Sequence, residues 1–387
     1  MSKVIYDINH VSAIKLKKEG YKVLLFIDWD VPAFDKNAGY FITFEYLKIF
    51  LALGYKIIFW PYNIANFKLY AEKLQQLGIE VVYRNQFFEK YIKKNGKHLD
   101  LVVISRPRIA EEYFPLVRKY SMAKIFYLAQ DLHFLREMRL SKINSDEKIK
   151  TQAEKTKKIE ISIMRQSDNS LFFSNKELEI VRELDKKIKA NVIPWIQPVL
   201  TNRERVRLNN RDGLLFIGGF AHLPNIDAIL WFHKEIFPII KKSFPQITVT
   251  ILGSDAPQEI LDLNSLDFSV LGFVEEKDLP KYFNSAKIFI APLRYGAGFK
   301  GKIARAMAFG LPVITTGIGA EGIDLVDGEN AILANNPEEF ARKVIELYRN
   351  SGLWNKISEN SINHVIKNYS VENAKEKLSQ IIFSHNG

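Results

Sequence analysis

A chain of 387 residues exceeds the size at which one hydrophobic core keeps growing, so two domains are expected. Its composition, 47% hydrophobic and 26% charged, is that of a globular protein, and the absence of cysteine excludes disulfides, thiolate metal sites and cysteine nucleophiles while suiting a reducing cytoplasm. The net charge of +11 lies in one half: residues 1–195 hold 34 Lys and Arg against 23 Asp and Glu, and residues 196–387 hold 21 of each.

The first half alternates apolar runs with helical patterns. Strands are predicted at 22–27, 56–60, 80–83, 99–104, 123–128, 170–173 and 191–193, and helices at 40–53, 67–77, 110–120, 146–166 and 176–184. Strands separated by helices imply an α/β fold with parallel pairing and right-handed crossovers. In the segment 146–166, Ile149, Ala153, Ile159 and Ile163 lie among lysines, the pattern of a surface helix with a narrow apolar stripe. Basic clusters at Lys15-Leu16-Lys17-Lys18, Lys90 to Lys94 and Lys155 to Lys158 suit a solvated surface or an anionic membrane face. No nucleic-acid partner is expected, because no zinc spacing, aromatic RNA-reading motif or helix-turn-helix signature accompanies the charge. Residues 1–10 lack the apolar core of a signal peptide and no stretch approaches the ~20 apolar residues of a spanning helix, so a soluble or peripheral protein is expected. Asp28-Trp29-Asp30 ends the first strand and reads as loop carboxylates rather than metal ligands, so no metal is expected. Arg106 and Arg108 flank Pro107 at a strand end and suit an anionic acceptor.

Pro194 and Pro198 bound a segment expected to be an extended linker. Beyond it, strands are predicted at 214–217, 248–252, 268–271, 288–291, 312–315 and 331–333, with a helix at 337–348 and a largely helical stretch at 353–383. The most informative segment is 291–314, which reads as strand, glycine loop, helix, strand. Such a loop leaves backbone N–H groups uncovered at a helix N-terminus, and Lys300 and Lys302 add point charges, so it reads as a seat for a phosphorylated ligand. Upstream, Gly218-Gly219 ends another strand, followed by Pro224-Asn225 and a helix-spaced run over 226–237. Two glycine-bearing strand ends can face one crevice.

The pieces Phe216-Ile217-Gly218-Gly219, Val249-Thr250-Ile251-Leu252-Gly253, Val270-Leu271-Gly272-Phe273-Val274, Gly298-Phe299-Lys300-Gly301-Lys302, Ala306-Met307-Ala308-Phe309-Gly310-Leu311-Pro312 and Gly319-Ala320-Glu321-Gly322, in this order, resemble the donor half of a retaining glycosyltransferase of family 4. More loosely, Asp35 to Gly39, Ser105 to Pro107 and Gln130 to Arg136 resemble its acceptor-side segments. The resemblance implies the GT-B architecture: two facing Rossmann-like domains with a donor cleft between them, an acceptor domain over 1–195, a nucleotide-sugar donor domain over 196–370, and a last helix over 371–387 crossing back to the first. It implies transfer of a sugar from a nucleotide-sugar donor to a glycan or lipid-linked acceptor, with retention and without a metal cofactor, in surface polysaccharide or glycoconjugate synthesis. The enzyme would work in the cytoplasm or peripherally at the inner face of the membrane.

Breaking the donor's glycosidic bond builds negative charge on the leaving diphosphate, and Lys302, with backbone N–H groups of Gly218, Gly219, Gly298 and Phe299, is placed to stabilise it. A lysine at a helix start opposes the helix dipole and wants an anion as compensation; Lys300 is a second cation of the same kind. By resemblance His133 contacts the donor sugar, with Asp131 beside it hydrogen-bonding sugar hydroxyls or capping the helix over 132–140. Gly39 resembles the first-domain loop that approaches the diphosphate, His222 is placed to sit over the nucleotide, and Glu321 to supply a sugar or ribose contact. The family usually carries two glutamates eight positions apart, the second bonded to the ribose; here Ala297 and Arg305 stand there, so that contact cannot be carried over. Arg305 is left as a second cation near phosphate or a residue of the solvent face. Two alternatives stay open: a non-catalytic glycan-binding or partner subunit of the same fold, and a nucleotide-sugar epimerase. A dehydrogenase is set aside, because the first strand runs into Ile27-Asp28-Trp29-Asp30 rather than a Gly-x-Gly-x-x-Gly turn.

Overall fold

The computed structural model describes residues 12–36, 38–64, 67–82, 87–198 and 208–383. The chain divides into two compact units, one of Met1–Ser141, Ser145–Ile193 and Ala374–Gly387, the other of Lys142–Asn144 and Pro194–Asn373.

The first unit is built on strands β1 (Lys22–Asp28), β2 (Tyr55–Pro61), β3 (Glu80–Val81), β4 (Leu101–Ser105), β5 (Lys124–Leu128), β6 (Asn169–Phe172) and β7 (Ala190–Val192). They form a parallel sheet in the order β3-β2-β1-β4-β5-β6-β7. The central strand is buried from Val23 to Asp28, the near-continuous apolar run of a strand covered by helices on both faces. On one face Trp60 packs against Phe88 and Tyr91, with ring centroids 4.9 Å apart in each case. The strand expected over 99–104 starts later, at Leu101, because the Asp100 carboxylate accepts the Val23 N–H at 2.8 Å and pairs with Lys17, which turns the chain into the sheet. The strand expected over 80–83 is resolved as β3, and Tyr83 lies outside the described residues. The charged helix spans Glu147–Gln166 with Asp146 as its N-cap, and its buried stripe holds Ala153, Ile163, Met164 and also a carboxylate, Glu160.

The second unit is built on β8 (Leu214–Ile217), β9 (Val249–Leu252), β10 (Phe268–Gly272), β11 (Ile288–Ala291), β12 (Val313–Thr315) and β13 (Ile332–Leu333), parallel in the order β10-β9-β8-β11-β12-β13. The helical run expected over 226–237 widens into a π turn at Phe232–Ile236, just before Pro238, whose missing N–H removes one rung of the ladder. The segment expected to be a linker is extended but fastened within this unit. Trp195 is buried and stacks on Phe299 at 5.2 Å, while Gln197 donates through its N–H to the Tyr369 carbonyl at 2.9 Å and through Nε2 to the Gly301 carbonyl at 3.3 Å. At the far end, helix Val371–Phe383 rejoins the first unit, where Lys22 Nζ lies 4.7 Å over the Phe383 ring.

In each sheet the strand order reverses once, between β1 and β4 and between β8 and β11. Crevices outside the carboxyl ends of strands at such reversals are where open α/β sheets hold ligands.

Candidate functional site

At the second reversal a cavity of about 150 Å³ is lined by Gly218, His222 and Asn225 after β8 and by Ala297, Phe299, Lys300 and Lys302 after β11. The loop after β11 turns through Gly296 and Gly298, both at positive φ (144° and 73°), a region that disfavours any side chain. Phe299 anchors it, stacked on Trp195 and edge-on to Tyr369 at 4.9 Å. Helix Gly301–Ala308 can then begin against Trp195, where a Cβ on Gly301 would come within 3.0 Å of the indole.

The two lysines of this loop have different work. Lys300 is buried, and its ammonium donates to the carbonyls of Gly298 at 2.7 Å and Ala297 at 3.3 Å. It braces the loop from within while lining the cavity. The Lys302 amine donates to Asn225 Oδ1 and lies 4.4 Å over the Phe216 ring. Burial, with Lys300 adding its repulsion, pushes Lys302 down to about 7. Among the described residues no carboxylate lines this cavity.

Of the backbone donors expected here, Gly218 N–H donates to the Leu252 carbonyl at 2.9 Å. The Gly219 carbonyl accepts Asn225 Nδ2 at 2.6 Å, and the Phe299 ring stacks on Trp195. His222 lines the cavity at the head of helix Leu223–Trp231, whereas Glu321 ends the short helix Gly317–Ala320 and is not part of the lining. Arg305 is not part of it either. Its guanidinium pairs with Glu276 and lies 5.9 Å from the Phe283 ring.

At the first reversal the charges satisfy one another. Asp28, fully buried at the end of β1, accepts the Trp29 N–H at 2.7 Å, the Thr43 hydroxyl at 3.3 Å and Arg106 Nε at 2.9 Å. Arg106 sits at φ 72°, costly for a residue with a side chain, and Asp28 holds it there. The guanidinium expected to meet an anionic acceptor is thus already paired with a buried carboxylate. Arg108 is exposed and lies 5.5 Å over the Trp29 ring. Asp30 accepts the Tyr40 hydroxyl at 2.6 Å, and burial raises its carboxyl above the ordinary range. Gly39 is in the first turn of helix Ala38–Ala52, next to Tyr40.

Asp131 pairs with Arg136 and stands 3.1 Å from His133 Nε2. Burial opposes charging of His133, but the hydrogen bond and charge of Asp131 outweigh it and hold the imidazole above its ordinary value. Asp131 does not cap its helix. The N–H groups at the start of helix His133–Asn144 go to carboxylates distant in sequence: Leu132 N–H to Glu177 at 2.7 Å, and His133 and Phe134 N–H to Glu160 at 3.2 and 3.0 Å. Burial pushes Glu160 up to about 7, although those N–H bonds act against it. Sequence reading missed Glu160 because it lies among lysines, and missed Asn225 as a site residue although Pro224-Asn225 follows the Gly218-Gly219 strand end. Among the described residues no group of three His, Asp or Glu could hold a metal, and no helix is long and apolar enough to cross a membrane.

Residues 211–350 match the family model described as Glycosyl transferases group 1. The matched stretch lies within the second unit and contains every residue that lines the cavity. Over 229 residues the chain is 27% identical to an uncharacterized 44.6 kDa protein in the cps region of Klebsiella pneumoniae, covering 57% of this chain and 56% of that one. It is likewise 27% identical over 185 residues to an uncharacterized glycosyltransferase of Methanocaldococcus jannaschii, covering 47% and 50%. The chain thus spans about half the length of the curated relatives it matches. Among solved structures, sucrose-phosphate synthase of Thermosynechococcus elongatus superposes with a TM-score of 0.71 at 14% identity, covering 93% of this chain and 98% of that one. Anabaena HepE, in complex with UDP and glucose, superposes with a TM-score of 0.70 at 13% identity, covering 94% and 100%. These likenesses show the fold, which is GT-B.

Proposed function

We propose that the chain is a retaining glycosyltransferase that moves a sugar from a nucleotide-sugar donor to a glycan or lipid-linked acceptor, in the synthesis of a surface polysaccharide or related glycoconjugate. The observation that carries this reading is the cavity of the second unit. It lies at a sheet reversal, is walled by two glycine loops, and holds a lysine amine with no carboxylate among the described residues of its lining. Such a seat favours an anion whose charge grows as the donor bond breaks, and Lys302 is assigned that stabilising role. The HepE complex with UDP and glucose and the relative in a cps region support the same substrate class. The reading leaves charge stabilisation to the protein's own cations and takes no metal. His133, with Asp131 behind it, is assigned to sugar hydroxyls, and the basic first unit to the acceptor at the inner face of a membrane.

Thermal unfolding with UDP, GDP, ADP and CDP tests this directly. A ligand selective for the folded state stabilises it by about 2.7 kcal/mol at a hundred times its Kd, so one of the four should raise the melting temperature by several degrees. No shift with any of them at millimolar concentration would favour a non-catalytic subunit of the same fold.

A further inference from the structure

We propose that Asn225 and Lys302 form a proton-coupled latch on the anion seat: Asn225 holds the Lys302 amine in the cavity of the free protein, and an entering diphosphate takes over that amine together with one proton from solvent. The inference deepens the nucleotide-sugar reading and rests on it. Its basis is the placement of Asn225. The residue is 5% exposed, and its amide faces two ways, Nδ2 donating to the Gly219 carbonyl at 2.6 Å and Oδ1 accepting from Lys302. Its side chain passes so close over Gly218 that a Cβ there would lie 2.8 Å from Nδ2. Asn225 thus ties the loop after β8 to the helix after β11 through the side chain assigned to the diphosphate.

The surroundings of Lys302 do not favour its charged form. Its polar contact is a neutral amide oxygen, its other neighbour is the Phe216 ring, and the titratable groups facing it across the cavity are Lys300, His222 and Tyr295, with no carboxylate among the described lining residues. Burial and Lys300 accordingly hold Lys302 down to about 7, so at pH 8 it is mostly a neutral amine. A diphosphate brings opposite charge to the same place and restores the ordinary lysine range. The amine then binds a proton and donates to a phosphate oxygen, while the Asn225 oxygen is released.

Calorimetric titration with UDP at pH 8, in Hepes and in Tris, reads the proton directly, since the two buffers differ in heat of ionisation. UDP phosphates are already ionised at that pH, so wild type should take up about 0.9 proton per UDP, as expected for a group titrating near 7 that becomes fully charged. Lys302→Met should bind UDP more weakly with no uptake. Asn225→Asp should also lose the uptake, because a carboxylate keeps the ammonium charged before ligand arrives. Competitive acetylation of the free proteins gives the Lys302 titration without ligand, near 7 in wild type and higher in Asn225→Asp. UDP binding to wild type with no buffer-dependent heat, or the same uptake in Lys302→Met, overturns the latch and leaves the functional reading standing. Failure of UDP, GDP, ADP and CDP alike to bind removes the two together.

Discussion

At the reversal of the first sheet the acidic and basic side chains answer one another: Asp28 holds Arg106, and Asp131 holds Arg136 with His133 alongside. At the reversal of the second sheet two lysines share one cavity, one bonded to loop carbonyls and one to an amide, and among the described residues the wall contains no carboxylate. The same topology therefore supports two electrostatic designs. In the first, cations meet carboxylates and the charges stabilise the fold; in the second, the lysines meet neutral oxygens and burial works against the charge of Lys302.

The contrast predicts opposite signs for removing a charge at the two places. Asp28→Ala leaves Arg106 without its carboxylate at a strained backbone position and should lower the stability of the first unit by about 3–5 kcal/mol, as breaking buried pairs does. Denaturant unfolding measures it, and Arg106→Met in the same background should recover part of the loss. A cost below about 1 kcal/mol would mean the pair is solvated, and the contrast would break.

Lys302→Met should do the reverse and raise stability by about 1–2 kcal/mol at pH 7, the cost of a depressed lysine after solvent at a half-buried site has reduced it. The sign with pH follows from the lowered value. Between about 7 and the ordinary lysine range the unfolded chain binds more protons than the folded one, so wild-type stability rises with pH and the gap to Lys302→Met closes. Stability curves at pH 7 and pH 10 test this, and a gap that widened with pH would contradict it.

Arg305 should matter least. Its pairing with Glu276 is partly exposed and lies outside the cavity lining, so Arg305→Ala should change UDP affinity by less than about 0.5 kcal/mol. A loss of about 1.5 kcal/mol or more, the worth of a hydrogen bond to a charged group, would place the guanidinium on the ligand.

The strands were readable because parallel sheets bury whole apolar runs, as Val23 to Asp28 and Ile288 to Ala291 do, and the glycine loops because positive φ at Gly296 and Gly298 demands glycine. What sequence could not supply was the choice of partner. Lys300 and Lys302 are two residues apart and alike in chemistry, yet one turns inward to Gly298 and the other outward to Asn225, 77 residues away. Asp131 sits where a cap belongs, but Arg136 engages it and the helix start goes to Glu160 and Glu177 instead. Arg305 found Glu276 by the same kind of long-range contact. Local pattern fixes which groups are near the strand ends, and three-dimensional packing decides which of them meet.

The return of helix Val371–Phe383 to the first unit has a consequence for synthesis. The first unit's sheet is encoded before residue 193, yet that unit also includes Ala374 onward, so nearly two hundred residues must leave the ribosome before its last helix can dock. During translation the second unit can close while the first is still waiting. A nascent chain stalled with residue 373 just clear of the ribosome should show a protease-resistant second unit beside a more easily cleaved amino-terminal partner.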